Sequence, residues 1–342
     1  MDFLRCLRLV AGLVLIGLGG CTTTRQATPE PVAPQPSVQI EKGPDQRIRS
    51  DMVAARLGLT ESWMLAQSRL AMNGPAGSFE AEVGRRECMV NGIRVFLGEP
   101  PLAEGGHLTF ARSDVERQLL PILGRGRIEA PGPIRTIAVD AGHGGTDSGT
   151  KNAALGLQEK DLTLDVARRL EAALRHRGFA VIMTRTDDSF VPLKERPQRA
   201  NGADLFISIH FNATGNVAVS GTETYVLSKA GQASTGGDYP YVGDEPAQPG
   251  NRWDAANAAL GFEVQRRLVR AFGTIDRGLK QARFVVLRDL SCPGILVESA
   301  FLSHPGEASR VSSPKFRVEL AEMLAEAVVT QAARMNPEQP QP

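Results

Sequence analysis

From Ile134 onward, short apolar runs alternate with longer stretches of helical spacing. The runs at 134–139, 179–183, 205–209, 222–227, 284–287 and 295–297 read as strands. Between and after them, Leu162, Val166, Leu170 and Leu174 recur at i, i+4 on one helical face. Ala256, Leu260, Val264, Leu268 and Phe272 do the same, as do Phe316, Leu320, Leu324 and Val328. Strands alternating with helices predict an α/β fold with a mainly parallel sheet and helices on both faces, over 134–335. No internal repeat is visible.

The pattern upstream is different. Met52 to Met72 has helical apolar spacing, and 88–97 is rich in β-type residues around an Asn91-Gly92 turn. Ser113, with Glu116 three residues on, reads as the N-cap of a further helix. Residues 51–130 are therefore expected to form a small α+β module, joined to the downstream α/β part by a Gly/Pro-rich linker at 124–133. Residues 228–253 are a long polar stretch with Tyr239 and Tyr241, and in a compact domain such a stretch is commonly a lid or binding loop. The Pro/Gln-rich end, 336–342, reads as a disordered tail.

The first twenty residues read as an export signal. Arg5 and Arg8 precede an apolar run from Leu9 to Leu18, which is shorter than the ~20 residues a spanning helix needs. Leu18-Gly19-Gly20-Cys21 resembles the bacterial lipobox, which implies lipidation of Cys21 and a periplasmic, lipid-anchored protein, with Thr22 favouring the outer membrane. Residues 21–50 are Pro-rich and read as a tether able to span roughly 90–100 Å. Cys88 and Cys292 then remain, and they are expected to be buried free thiols rather than a disulfide.

Composition narrows the function. The 342 residues carry a net charge of +1 and 5% aromatics, with no long basic block, so no nucleic-acid partner is expected. Three polar residues close apolar strands instead: His143, His210 and Glu298. In open α/β sheets such positions converge at the carboxyl edge. Glu159, at the start of the next helical stretch, is placed to turn toward the same edge. Two histidines and a carboxylate are a known catalytic zinc set, and zinc so held brings the pKa of a bound water toward ~7. A second carboxylate outside the metal shell is then available to move protons.

The stretches "IAVDAGHGGTDSGT", "GLQEKDLTLDVARRLEAAL", "ERPQRANGADLFISIHFNA", "GTETYVLS" and "GILVESAFLSHPGE" follow one another in order across about 200 residues. Together they resemble the zinc-dependent N-acetylmuramoyl-L-alanine amidases of the amidase-3 type. The resemblance implies one Zn2+ held by His143, Glu159 and His210, with Glu298 as the catalytic carboxylate. Arg196, Asn201 and Asn212 would support the site or contact substrate. The implied reaction is hydrolysis of the amide between N-acetylmuramic acid and L-alanine in peptidoglycan, in wall remodelling or daughter-cell separation. Some members of the family carry an inhibitory helix displaced by a protein activator. The 228–253 stretch lacks an amphipathic pattern for such a helix, so the need for an activator stays open. His304 stands beyond a strand end and is expected to serve a loop rather than a metal. The competing readings are a non-catalytic peptidoglycan-binding envelope lipoprotein and a zinc peptidase acting on soluble wall fragments.

Overall fold

A computed structural model describes residues 47–64, 68–124, 128–237, 244 and 246–336. Cys21, most of the tether, Tyr239, Tyr241 and nearly all of the C-terminal tail lie outside the described residues. The described chain opens with β1 (Arg47–Arg49) and α1 (Ser50–Leu57), which stops at Gly58 in the left-handed region at φ 66°. β1 pairs with β8, so the folded part begins a few residues before position 51, inside the expected tether. The helical spacing of 52–72 is realised only as far as Leu57. Thr60 onward forms β2 (Thr60–Met64) and β3 (Arg69–Gly74), because the glycine cap ends the helix and the next residues, Thr60 and Trp63 among them, favour the pleat.

β4 (Gly77–Glu82), β5 (Glu87–Val90) and β6 (Ile93–Phe96) complete an antiparallel meander. Its last turn is Asn91-Gly92, both at positive φ (49° and 74°), as the dipeptide foretold. β7 (Leu102–Glu104) and β8 (His107–Ala111) join β1 in a three-stranded sheet, with the half-buried His107 on β8 beside Arg49. The helical segment that follows runs through α2 (Arg112–Asp114), a π-wound turn and α3 (Leu120–Ile122). Ser113 is not its N-cap. The Ser113 hydroxyl instead accepts a hydrogen bond from Gln232 Nε2 at 2.9 Å.

The catalytic part supplies β9 (Thr136–Ala141), the small hairpin β10 (Lys151–Asn152) and β11 (Leu157–Gln158), and α4 (Glu159–His176). β12 (Ala180–Met183), α5 (Glu195–Arg199), β13 (Leu205–Asn212) and β14 (Thr222–Leu227) follow. The chain ends with α6 (Asp254–Phe272), β15 (Asp276–Ala282), α7 (Val285–Arg288), β16 (Gly294–Phe301), α8 (Pro305–Ser312) and α9 (Pro314–Met335). The run at 284–287 is therefore a short helix rather than a strand, and the polar segment Asp276–Ala282 is the strand. A four-residue apolar run does not distinguish the two, whereas β15 buries Leu279, Gln281 and Ala282 through its place in the sheet.

Eleven strands form one sheet in the order β12-β9-β13-β16-β14-β15-β6-β5-β4-β3-β2. β12, β9, β13 and β16 are parallel; β14 runs antiparallel to β16 and parallel to β15. The upstream meander is not a freestanding module. β6 lies against β15, so the meander lengthens the catalytic sheet at one edge. The join is also polar: the buried Lys229 ammonium donates to Asp114 at 3.0 Å and to Gln118 at 2.6 Å.

Period-two alternation divides the faces. Ile207 and Ile209 of β13 and Ile295 and Val297 of β16 share one buried cluster with residues of α4, α6 and α9. Phe206 and Leu296 belong to a smaller cluster on the other face, with residues of α7. His210 and Glu298 stand on this second, more thinly covered face. Cys88 and Cys292 are buried and unpaired, and burial pushes the Cys292 thiol up to about 12.

β14's direction settles the place of the long loop. Glu223, near the start of β14, is opposite Glu298. The end of β14 and the described residues that follow it therefore lie toward the far end of the sheet from Glu298. Arg86 reaches the backbone of the 228–253 stretch, donating to the carbonyls of Ala233, Ser234 and Gly237, and Arg283 pairs with Asp244. Its described residues contain no α-helix.

Candidate metal centre and catalytic carboxyl

His143 follows the end of β9, Glu159 is the first residue of α4, and His210 lies near the end of β13. One donor atom from each comes within 4.8 Å of the others. His143 Nε2 is 3.1 Å and His210 Nδ1 is 3.0 Å from Glu159 Oε1. Zinc bonds of ~2.0–2.2 Å to N and O suit donors packed this closely. His143 Nδ1 lies 2.8 Å from Asp147 Oδ2, which orients the ring with Nε2 toward the other donors. Glu159 is held by the backbone amides of Thr150, to Oε2, and Phe211, to Oε1. The donor set, its carboxylate-backed histidine and its shared focus fit zinc.

Burial raises the Glu159 carboxyl, but hydrogen bonds from His143 and His210 outweigh it and hold the group well below the usual carboxylate range. Burial works to lower His143, and the carboxylates of Glu159 and Asp147 prevail and raise it.

Two features of the loop after β9 make the ligands meet. His143 itself has φ 60°, a strained value for a residue with a Cβ. Gly142 is close enough to His210 that a Cβ there would stand 2.4–2.7 Å from the imidazole ring. Gly142→Ala is therefore expected to displace a ligand and weaken zinc binding by roughly 10–100-fold, the usual scale for misoriented ligands. Competition with a chromogenic chelator measures this. Unchanged affinity would show that the ring has room to shift.

Arg196 explains how the strained loop is held. It is 2% exposed and donates to Asp140 Oδ1 at 2.9 Å, to the Ala141 carbonyl at 2.8 Å and to the His143 carbonyl at 2.9 Å. Asp140 also accepts from Thr184 and Ser208 hydroxyls. Arg185 ties Ala141 and Gly142 to the first turn of α4 through the Lys160 carbonyl. Arg196 thus supports the loop that carries His143, and its bonds go to Asp140 and backbone carbonyls rather than to the donor set.

Glu298 is adjacent to His210 in the parallel β13–β16 register, on the same face. Its Oε2 is buried and has no hydrogen-bond partner. Burial, then the Glu159 and Glu223 carboxylates, push this carboxyl well above its ordinary range. An orphaned carboxyl oxygen beside a metal donor set is placed to receive a proton.

The other expected site residues separate. Asn212 closes β13 and donates to Glu223 Oε1 at 2.6 Å, so it belongs to the site's rim. Asn201 does not join it. It sits exposed in the turn before β13, at the opposite end of that strand from His210, near Ser291. His304 accepts a hydrogen bond from the Glu307 amide as the N-cap of α8, the loop role expected of it. Asp140, Asp147, Arg185 and Glu223 were not singled out from sequence. Asp140 and Glu223 had a visible signal, since each is an acid set within an apolar strand run.

Residues 137–330 match the N-acetylmuramoyl-L-alanine amidase family Amidase_3, more than half of the chain. The chain belongs to this family. It is 33% identical over 204 residues to the Bacillus subtilis protein YqiI, covering 58% of this chain and 87% of that one. It is 34% identical over 238 residues to the N-acetylmuramoyl-L-alanine amidase AmiC of Neisseria meningitidis, covering 63% and 56%. With the amidase AmiA of Salmonella typhimurium it shares 30% over 222 residues, covering 58% and 76%. The chain thus spans little more than half the length of the meningococcal AmiC. His143, Glu159, Arg196, His210 and Glu298 all lie within the family match.

Proposed function

We propose that this chain is a zinc-dependent N-acetylmuramoyl-L-alanine amidase that frees stem peptides from peptidoglycan outside the cytoplasm. Family membership supports the amidase activity. The observation that carries the mechanism is the His143–Glu159–His210 donor set with the unpartnered Glu298 carboxyl on the neighbouring strand. The three donors would hold one Zn2+. When bound, the ion supplies polarisation of the scissile carbonyl, acidification of a water, and a positive charge that draws Glu298 back toward its ionised form.

The chain's own residues do the rest. Asp147 and the amides of Thr150 and Phe211 fix the ligands. Arg196 and Arg185 hold the strained loop at His143. Glu298 takes the proton of the attacking water and delivers it to the departing L-alanine nitrogen. Its buried Oε2, which has no hydrogen-bond partner, is open to each proton in turn.

We further assign Cys21 as a lipid anchor, with the Pro-rich stretch as its tether and the periplasmic side of the outer membrane as the place of action. Among the described residues no helix is long and apolar enough to cross a membrane.

The test is digestion of purified peptidoglycan by the full chain, before and after chelation and after zinc is restored, with products identified by mass spectrometry. Stem peptides with a free L-alanine amine, lost on chelation and regained with zinc, are expected. Peptides cut internally, or none released by zinc-loaded protein, would overturn the assignment.

A further inference from the structure

The face that carries His210 and Glu298 continues across β14 and β15. Glu223 stands opposite Glu298 in the antiparallel β14–β16 pair, and Tyr225 is beside Lys280 in the parallel β14–β15 pair. Glu223 is buried and collects four donors: Asn212 Nδ2 at 2.6 Å, Tyr225 Oη at 2.8 Å, Arg277 Nε at 3.0 Å and the Lys280 ammonium. Two cations share this one carboxylate. On this carboxylate alone the two cations leave one positive charge over, beside the Glu298 carboxyl.

Both cations keep an open side. The Arg277 and Lys280 side chains are 32% and 16% exposed, against 3% for Glu223. Both are also fixed. The Arg277 guanidinium lies 5.0 Å over the Phe301 ring, and the Lys280 ammonium 5.6 Å from the Tyr225 ring centre. Tyr225 is in turn packed edge-on against Phe284. Arg277 commits its Nε to Glu223, and the terminal nitrogens of its fork make no hydrogen bond among the described residues, so they remain available to a ligand. Such a surface is preorganised for an anion.

Distance and chemistry identify the anion's class. Strands are spaced ~4.8 Å apart, so β15 lies roughly 10 Å from the strand of Glu298. That is the reach of about three extended peptide residues at ~3.3–3.6 Å each. On the glycan side of the scissile bond, the lactyl carboxyl is consumed in the amide. Free carboxylates lie on the peptide side.

We propose that Arg277 and Lys280 form a subsite for a carboxylate on the second or third residue of the stem peptide, with Glu223 as the residue that positions them. The subsite rests on the amidase reading and names what that site recognises beyond the scissile bond.

The test uses three muramoyl tripeptides: one with free carboxylates, one amidated at residue two and one amidated at residue three. Steady-state kcat and KM are measured for zinc-loaded wild type, Arg277→Leu and Lys280→Met, with Arg277→Lys and Lys280→Arg as conservative controls. Wild type is expected to lose about tenfold or more in kcat/KM on one amidated substrate, mainly through KM. Which substrate suffers identifies the residue that is read. The Leu and Met variants should treat all three substrates within about twofold, and the conservative variants should recover part of the preference. A merely structural role would lower all three substrates equally and keep the preference. Equal wild-type rates on all three, or a preference that survives in the variants, would overturn the subsite while the amidase reading stands. No turnover of any substrate by zinc-loaded wild type would overturn both. Equal wild-type rates would overturn the subsite even where a variant fails to fold, and where one of Arg277→Leu and Lys280→Met fails to fold the other still tests the assignment.

Discussion

Glu298→Gln is expected to take up zinc as wild type does and to lose ~10²–10⁴-fold in turnover, the contribution general acid–base catalysis typically makes. Glutamine keeps the shape of the side chain and leaves the donors His143, Glu159 and His210 untouched. It cannot accept a proton from water, and it has none to give to the departing amine. Metal content by mass spectrometry and steady-state release of stem peptides separate the two properties. Glu159→Gln supplies the contrast. It weakens the carboxylate donor that two histidines and two backbone amides converge on, so zinc content and turnover should fall together. Turnover by Glu298→Gln within a few fold of wild type would move the proton to another group. The orphaned Oε2 would then need a different explanation.

The sequence exposed this site because strand ends are easy to locate. A histidine or glutamate that terminates an apolar run sits at a sheet edge whatever the details of packing, and parallel strands bring their carboxyl edges together. His143, His210 and Glu298 were readable on that ground, and Glu159 by its place at a helix start. The supporting charges were harder. Arg196 was expected to support the site only through the family resemblance, and the way it does so appears only when Asp140 arrives from β9. Asn201 and Asn212 had similar sequence credentials, but they flank opposite ends of β13, so one is remote and the other borders the site.

The misread elements share one cause. Met52 to Met72 and the 284–287 run were judged by local apolar spacing, and Asp276–Ala282 was passed over for lack of it, yet each takes its form from what it packs against. β15 is the clearest case. Its Arg277 and Lys280 were not singled out from sequence, and in the sheet both pair with the buried Glu223. The strand direction of β14 was equally invisible. It places the described residues that follow β14 toward the far end of the sheet from Glu298.

Arg196→Met is expected to destabilise the fold by ~3–5 kcal/mol, the cost of removing one partner from a buried ion pair. The side chain is 2% exposed and Asp140 is fully buried. Methionine fills similar space but leaves a buried carboxylate with only the Thr184 and Ser208 hydroxyls. It also leaves the carbonyls of Val191, Ala141 and His143 without the guanidinium that serves them. Urea unfolding with an unchanged slope would read the loss as stability rather than a changed unfolded state. The double variant Asp140→Asn with Arg196→Met should cost less than the two single changes added together, since no charge is then stranded. The coupling also has a functional reading. Arg196 holds the carbonyl of the strained His143, so the folded fraction of the single variant should bind zinc more weakly than wild type. A variant that unfolds early yet binds zinc normally would make Arg196 a core residue alone. Loss of both would place the metal centre and the buried pair in one cooperative unit, in which the strain at His143 is sustained by the ion pair beneath it.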